Sequence, residues 1–172
     1  MNLLRASGVL LLILLTKAEV DFEDRPNDAC HICMCSSDRT IIDCSRRGLS
    51  ELPDGISEKV EKLNISNNEI TTFPRKLYTL YNLVSLDVSG NELRLLPEDA
   101  LQNLTALEAL NLSRNNFEEW QDLNPNSVLL PATSLLLLDL SRNKFKTMAN
   151  LANKELFISS SLETLILDNC EI

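Results

Sequence analysis

Leu107–Phe117 reads LEALNLSRNNF, an L-x-x-L-x-L-x-x-N-x-F frame, and the same eleven-residue frame returns four more times. VEKLNISNNEI begins at Val60, LVSLDVSGNEL at Leu83, LLLLDLSRNKF at Leu135 and LETLILDNCEI at Leu162, so successive starts lie 23, 24, 28 and 27 residues apart. The fourth and sixth positions of each copy are apolar and their neighbours more polar. That is the period-two pattern of a short strand with one buried face. Leu110 and Leu112 are expected to point inward, with Ala109, Asn111 and Ser113 outward. One such strand cannot bury its apolar face alone, so the copies must stack into a parallel sheet over a shared core. The frame therefore predicts an α/β solenoid, with one strand per turn and a return segment along the convex side.

The asparagine at the ninth position has an amide that both donates and accepts, so it can satisfy backbone groups of neighbouring turns. Asn68, Asn91, Asn115 and Asn143 form this column, and Cys170 takes the place in the last copy. Five copies of this wording resemble the leucine-rich repeat, over the chain from about residue 26 to its end. The returns PRKLYTLYN (Pro74–Asn82) and PEDALQNLT (Pro97–Thr105) resemble the common extracellular subtype. They place Leu77, Leu80, Ala100, Leu101 and Leu104 inward. Trp120 aligns with Phe73, Leu96 and Met148, which makes it a core residue. Trp120 to Ser134, with Asn124-Pro125-Asn126 and Pro131, reads as an extended irregular loop, and Met148 to Ser161 as a short helix.

Ahead of the repeats, Arg5 and the apolar run Val9–Leu15, followed by Thr16-Lys17-Ala18, have the layout of a secretory signal peptide over residues 1–18. The rival is an uncleaved anchor, but the run is well short of the roughly 20 residues a spanning helix needs. An acidic lead-in covers residues 19–29. Cys30, Cys33, Cys35 and Cys44 then follow in a C-x2-C-x-C-x8-C spacing, within a segment taken as 30–59. A solenoid needs something polar and rigid over its first open turn, and short disulfide loops serve in an oxidising compartment. Four cysteines allow three pairings, and the spacing does not choose among them. A zinc site helped by His31 is the rival reading, weakened by the signal peptide and by the lack of a second well-spaced C-x2-C. The segment resembles the N-terminal cysteine cap of extracellular leucine-rich-repeat proteins of animals, and that resemblance implies Cys30–Cys35 and Cys33–Cys44. Leu49, Leu52 and Ile56 are the expected buried contacts of the cap.

The five repeats fill residues 60–172, the last of them ending straight after its asparagine-equivalent. The sequence thus predicts an incomplete final turn, further chain in the native product, or a homodimer through the open C-terminal end. Among 172 residues, 25 acidic against 16 basic side chains give a net charge of −9. That balance argues against a nucleic-acid or anionic-membrane binder, both of which need basic patches. No nucleophile–base constellation, glycine-rich phosphate loop or ligand cluster points to an enzyme, a cofactor or a metal. The single histidine, His31, lies in the cysteine segment.

What remains is binding. The outward strand column offers Glu61, Lys62, Val84, Asp87, Glu108, Asn111, Leu136, Leu137, Asp139 and Ile166, and position eight adds Arg114 and Arg142. Three sequons occur at Asn64, Asn103 and Asn111, with Asn103, on the convex return, the first choice for glycosylation. The resemblance implies a secreted or cell-surface module that recognises an extracellular protein ligand or co-receptor, as in the ectodomains of receptors and adhesion proteins. The alternative is a soluble secreted regulator, a matrix proteoglycan core or a growth-factor inhibitor or carrier. Membrane anchoring would require a downstream span.

Overall fold

The computed structural model describes residues 28–146 and 159–170. The signal peptide, most of the acidic lead-in, and the helix expected within Met148–Ser161 lie outside the described residues. So does the side of the core that Met148 would supply.

The chain forms one seven-stranded sheet in sequence order. The strands are β1 (Met34–Cys35), β2 (Ile41–Asp43), β3 (Lys62–Asn64), β4 (Ser85–Asp87), β5 (Ala109–Asn111), β6 (Leu137–Asp139) and β7 (Thr164–Ile166). β1 and β2 are antiparallel, and every later pair is parallel. Register is set by the frame. Leu63 pairs with Leu86, Leu86 with Leu110, Leu110 with Leu138 and Leu138 with Leu165, so the fourth position stacks on itself turn after turn. Ile42 of the cap joins the same column through Leu63. The cap is therefore a zeroth turn of the solenoid, in register with the turns that follow it.

Behind the sheet the sixth-position residues Ile65, Val88, Leu112 and Leu140 are fully buried, and Cys44 extends their column into the cap. Ile70, Leu93, Phe117 and Phe145 close the far side of each turn. At about 1.5–3 kcal/mol for each large apolar side chain removed from water, no single three-residue strand would hold its shape without its neighbours. Leu77, Leu80, Ala100, Leu101 and Leu104 are buried from the convex side, where the periodicity put them. That side carries little α-helix among the described residues. Its return after Pro74 is a 3-10 turn at Arg75–Thr79.

The third return departs from the extended loop predicted for Trp120–Ser134. Trp120–Leu123 is a second 3-10 turn, ending at Asn124 in the left-handed region with φ 44°. The Asp122 carboxylate accepts the N–H groups of Glu118 and Glu119 at 2.9 and 2.8 Å, which fixes the start of that turn. A further helical turn follows, in which Val128 and Leu129 donate to the carbonyls of Asn124 and Pro125 at 2.8 and 3.1 Å. The cause is apolar spacing: Leu123, Val128 and Leu129 are all buried, and only a coiled path sends the three inward together. Trp120 is buried as expected, but its indole N–H has no hydrogen-bond partner.

The asparagine column supplies the polar spine. Asn91 Nδ2 donates to Val88 of its own turn and to Ile65 of the preceding one, both at 3.0 Å, and its Oδ1 accepts from Ile70 N at 3.0 Å. Asn115 repeats this with Leu112, Val88 and Leu93 N, and Asn143 with Leu140, Leu112 and the N–H groups of Asn115 and Phe117. Asn68 reaches into the cap, donating to Cys44 O and accepting from Arg47 N and Leu49 N. Cys170 is half-buried rather than buried, and its thiol donates to Leu140 O at 3.4 Å. Burial pushes this thiol up from its ordinary pKa, although the Asn143 and Arg142 N–H groups oppose the shift.

Candidate protein-binding face

Outward residues of β2–β7 line the concave face, and they fall into columns with different duties. At the fifth position of the frame, Asn64, Asp87, Asn111 and Asp139 are half-buried, as is Asp43 of the cap. Each accepts, through Oδ1, the N–H of the serine two residues on: Ser45, Ser66, Ser89, Ser113 and Ser141, at 2.8–3.0 Å. These five Asx turns end the strands and swing the chain toward the asparagine spine. The sequence carried the signal as Asx-x-Ser in the cap and the first four repeats, the last having Ile166-Leu167-Asp168 instead, but reading this column only as outward contacts missed it. One consequence is a correction: Ser113, expected outward, is buried, as is Ser66.

Position eight lies in the left-handed region on every described turn. Asn67, Gly90, Arg114, Arg142 and Asn169 have φ of 54°, 63°, 54°, 57° and 52°, and Arg46 of the cap has 55°. Arg114 and Arg142 stand exposed on neighbouring turns, their N–H groups donating to Ser141 O and Asp168 O at 2.8 Å. The second and third positions form the open part of the face. Glu61, Lys62, Glu108, Leu136 and Glu163 are exposed, whereas Val84 and Leu137 are half-buried, as is Ile166 at the fifth position of the last repeat. Of the apolar residues expected in the outward column, only Leu136 is exposed, at 37%, and Leu137 and Ile166 are sunk beside it.

The three sequons occupy two environments. Asn64 and Asn111 belong to the Asx-turn ladder, and the serines of their sequons are buried. Asn103 sits on the convex return, half-buried, with Nδ2 donating to Tyr78 O at 3.0 Å and Thr105 exposed. A glycosylated asparagine amide keeps one N–H, so this bond and a glycan are compatible.

At the N-terminal end, Cys30 is joined to Cys35 and Cys33 to Cys44. Helix α1 (Ala29–Ile32) begins at Asp28, whose carboxylate accepts Cys30 N at 2.8 Å and pairs with Arg39 Nη1 at 3.1 Å. Asp28 is 1% exposed and Ala29 fully buried, so both belong to the cap rather than to the lead-in in which the sequence placed them. Burial pushes the Asp28 carboxyl up, but the Cys30 N–H and the Arg39 guanidinium outweigh it, and its pKa ends below the ordinary value. Gly55, with φ 73°, passes so close to Asp28 that an added Cβ would lie 3.1 Å from its carboxylate. Its bond to Cys30 N is a local helix cap, but its burial and ion pair depend on Arg39 and Gly55, which lie 11 and 27 residues downstream.

Residues 58–117 match the family model described as "Leucine rich repeat". Over those residues the chain is similar to the leucine-rich repeat, and the parallel solenoid with two N-terminal disulfides is the fold that this resemblance implied. Its repeats are similar to those of oligodendrocyte-myelin glycoprotein from Homo sapiens, 38% identical over 79 residues, which cover 46% of this chain and 18% of that one. Leucine-rich repeat-containing G-protein coupled receptor 5A from Xenopus laevis is 38% identical over 86 residues, covering 48% and 10%. Podocan from Mus musculus is 32% identical over 109 residues, covering 62% and 17%. The chain spans less than a fifth of the length of these relatives. Among the described residues, no helix is long and apolar enough to cross a membrane.

Proposed function

We propose that these residues form an extracellular protein-binding module, the N-terminal part of a cell-surface receptor or adhesion protein that reads its ligand on the concave face. The observation that carries this reading is the division of labour between columns. The fourth, fifth, sixth and ninth positions are nearly uniform and bound into the scaffold. The second, third and eighth positions vary in side chain from turn to turn and include the most exposed residues of the face, Glu61, Lys62, Glu108, Arg114, Leu136 and Arg142 among them. A rigid sheet that presents varied side chains at fixed spacing is suited to recognising a folded protein surface.

Leu136 and Leu137 stand at the start of β6, and Arg114 and Arg142 beyond the ends of β5 and β6, on neighbouring turns of one face. Aliphatic surface flanked by arginine is the composition expected of a binding centre with a charged rim. Glu61, Lys62, Val84 and Glu108 extend the contact toward the cap, and Asp87, Asn111, Asp139 and Ile166 floor it. A receptor among the similar proteins supports the cell-surface reading. No reaction is assigned to these residues; the module binds.

The test is a binding screen of the secreted, tetramerised chain against a panel of displayed extracellular domains, followed by a Leu136→Asp, Arg142→Glu variant. Loss of at least tenfold in affinity for whichever domain binds supports the concave site. Unchanged binding by that variant sinks it.

A further inference from the structure

A second surface lies off the concave face, on the flank where each turn descends from its asparagine. Residues 50–52 of the cap, 71–76 of the first turn, and Arg94, Leu95 and Pro97 of the second enclose a groove of about 590 Å³. It crosses three successive turns, about 10 Å at the spacing of neighbouring strands. Its floor is apolar: Leu52 and Phe73 are buried at its base, and Pro74 and Pro97 are half-exposed along it. Leu95 stands 54% exposed on its wall, one of the most exposed large apolar side chains among the described residues.

The charge of this groove runs against that of the chain. Arg75, Lys76 and Arg94 line it, with Glu51 the one carboxylate in its lining, although the chain as a whole carries −9. Lys76 is held in place, donating to Leu52 O at 2.8 Å and pairing with Asp54 at 2.7 Å. Arg75 and Arg94 are exposed, and no carboxylate lies within ion-pair distance of either among the described residues. Arg94 also acts at longer range on the Glu118 carboxylate, but neither arginine is tied up in a direct ion pair, so an exposed leucine with two arginines over an apolar floor suits a ligand with the complementary layout.

We propose that this groove docks an extended, acidic segment of a partner protein, with one bulky apolar side chain seated against Leu95 and Phe73 and flanking carboxylates facing Arg75 and Arg94. The groove is open and crosses several turns, which suits an extended peptide better than a compact ligand. Its chemistry excludes basic segments, which Arg75 and Arg94 repel. The surface is separate from the concave face, so one module can hold two different partners, or two parts of one partner, at once.

The experiment uses the secreted full chain, isotope-labelled, titrated with the amidated pentapeptide Asp-Glu-Phe-Glu-Asp and with its neutral counterpart Asn-Gln-Phe-Gln-Asn. Expected are amide shifts clustered at Thr71, Thr72, Arg94 and Leu95, and at least tenfold weaker binding of the neutral peptide. A similar loss is expected for the acidic peptide with Arg75→Glu, Arg94→Glu, and progressive weakening as salt shortens the reach of the exposed charges. These substitutions are at exposed positions, and Arg142→Glu on the concave face should leave the titration unchanged. Equal binding of the two peptides, or shifts confined to the concave face, would overturn the proposal. So would binding seen only after Asp21, Glu23 and Asp24 are replaced by neutral residues, which would assign the groove to the chain's own acidic N-terminal stretch.

Discussion

The side-chain oxygen of Asn143 accepts the backbone N–H of Asn115 at 3.1 Å, 28 residues away, so that one spine asparagine completes the next. Replacing Asn143 with alanine leaves that N–H, the N–H of Phe117 and the carbonyls of Leu112 and Leu140 without this partner in a buried site. At about 1–3 kcal/mol for each buried group left unpaired, the loss should exceed about 2 kcal/mol even after partial relaxation. Urea denaturation of Asn143→Ala against the exposed control Asn126→Ala measures it. The control should stay within about 0.5 kcal/mol of the parent.

Asp28 makes the cap acid-sensitive. Its pKa is lowered in the folded chain, so the unfolded chain binds its proton more readily. The stability it contributes is therefore fully present above the ordinary carboxyl value near 4. It is lost as pH falls through the lowered value of the folded state. Asp28→Asn should be less stable than the parent at pH 7, and the gap should narrow as pH is taken from 5 toward 2. Denaturation midpoints across that range check the sign, and a gap that widens in acid would contradict it.

Gly90 and Gly48 separate backbone strain from crowding. Both hold a positive φ, of 63° and 64°, but an added Cβ at Gly90 would lie 2.8 Å from Asn67 Oδ1, whereas Gly48 has nothing within 4 Å. Gly48→Ala should cost about 1 kcal/mol, from the left-handed backbone alone. Gly90→Ala should cost more, and combining it with Asn67→Ala should recover the excess. A double-mutant cycle in thermal unfolding reads that coupling.

The sequons should differ in what their loss does. Asn103→Gln is expected to remove one glycan's mass from the secreted chain and, through the lost bond to Tyr78 O, to destabilise it by up to about 1 kcal/mol. Asn64→Gln and Asn111→Gln each break an Asx turn, so each should destabilise by about 0.5–1.5 kcal/mol even in protein made without glycans. Mass mapping together with denaturation of enzymatically deglycosylated protein distinguishes the two effects.

Much of this was legible in the order of residues. The inward columns of Leu63, Leu86, Leu110 and Leu138, and the spine from Asn68 to Asn143, follow from a repeated frame, because repetition multiplies a weak local signal fivefold. The coil of Trp120–Leu130 was not legible, since Pro125 and Pro131 signal a break without saying whether the chain opens out or tightens. Burial of Leu123, Val128 and Leu129 decided it. Asp28 was not legible either, because its role depends on Arg39 and Gly55, placed beside it by the cap's fold. The fifth-position ladder was visible as Asx-x-Ser, but its polar residues read equally well as free contacts. The basic flank groove is assembled from three segments, each unremarkable by itself, and only stacking brings them together.

The spine also has a direction. Asn68 reaches back to the cap, Asn91 to Ile65, Asn115 to Val88 and Asn143 to Leu112, so the bonds of each turn finish the one made before it. A ribosome releases the chain in that same order. The cap can close first and serve as a template, and each later turn completes its predecessor as it settles. At any moment of synthesis a single unfinished edge is then exposed, rather than a whole chain awaiting its distant end.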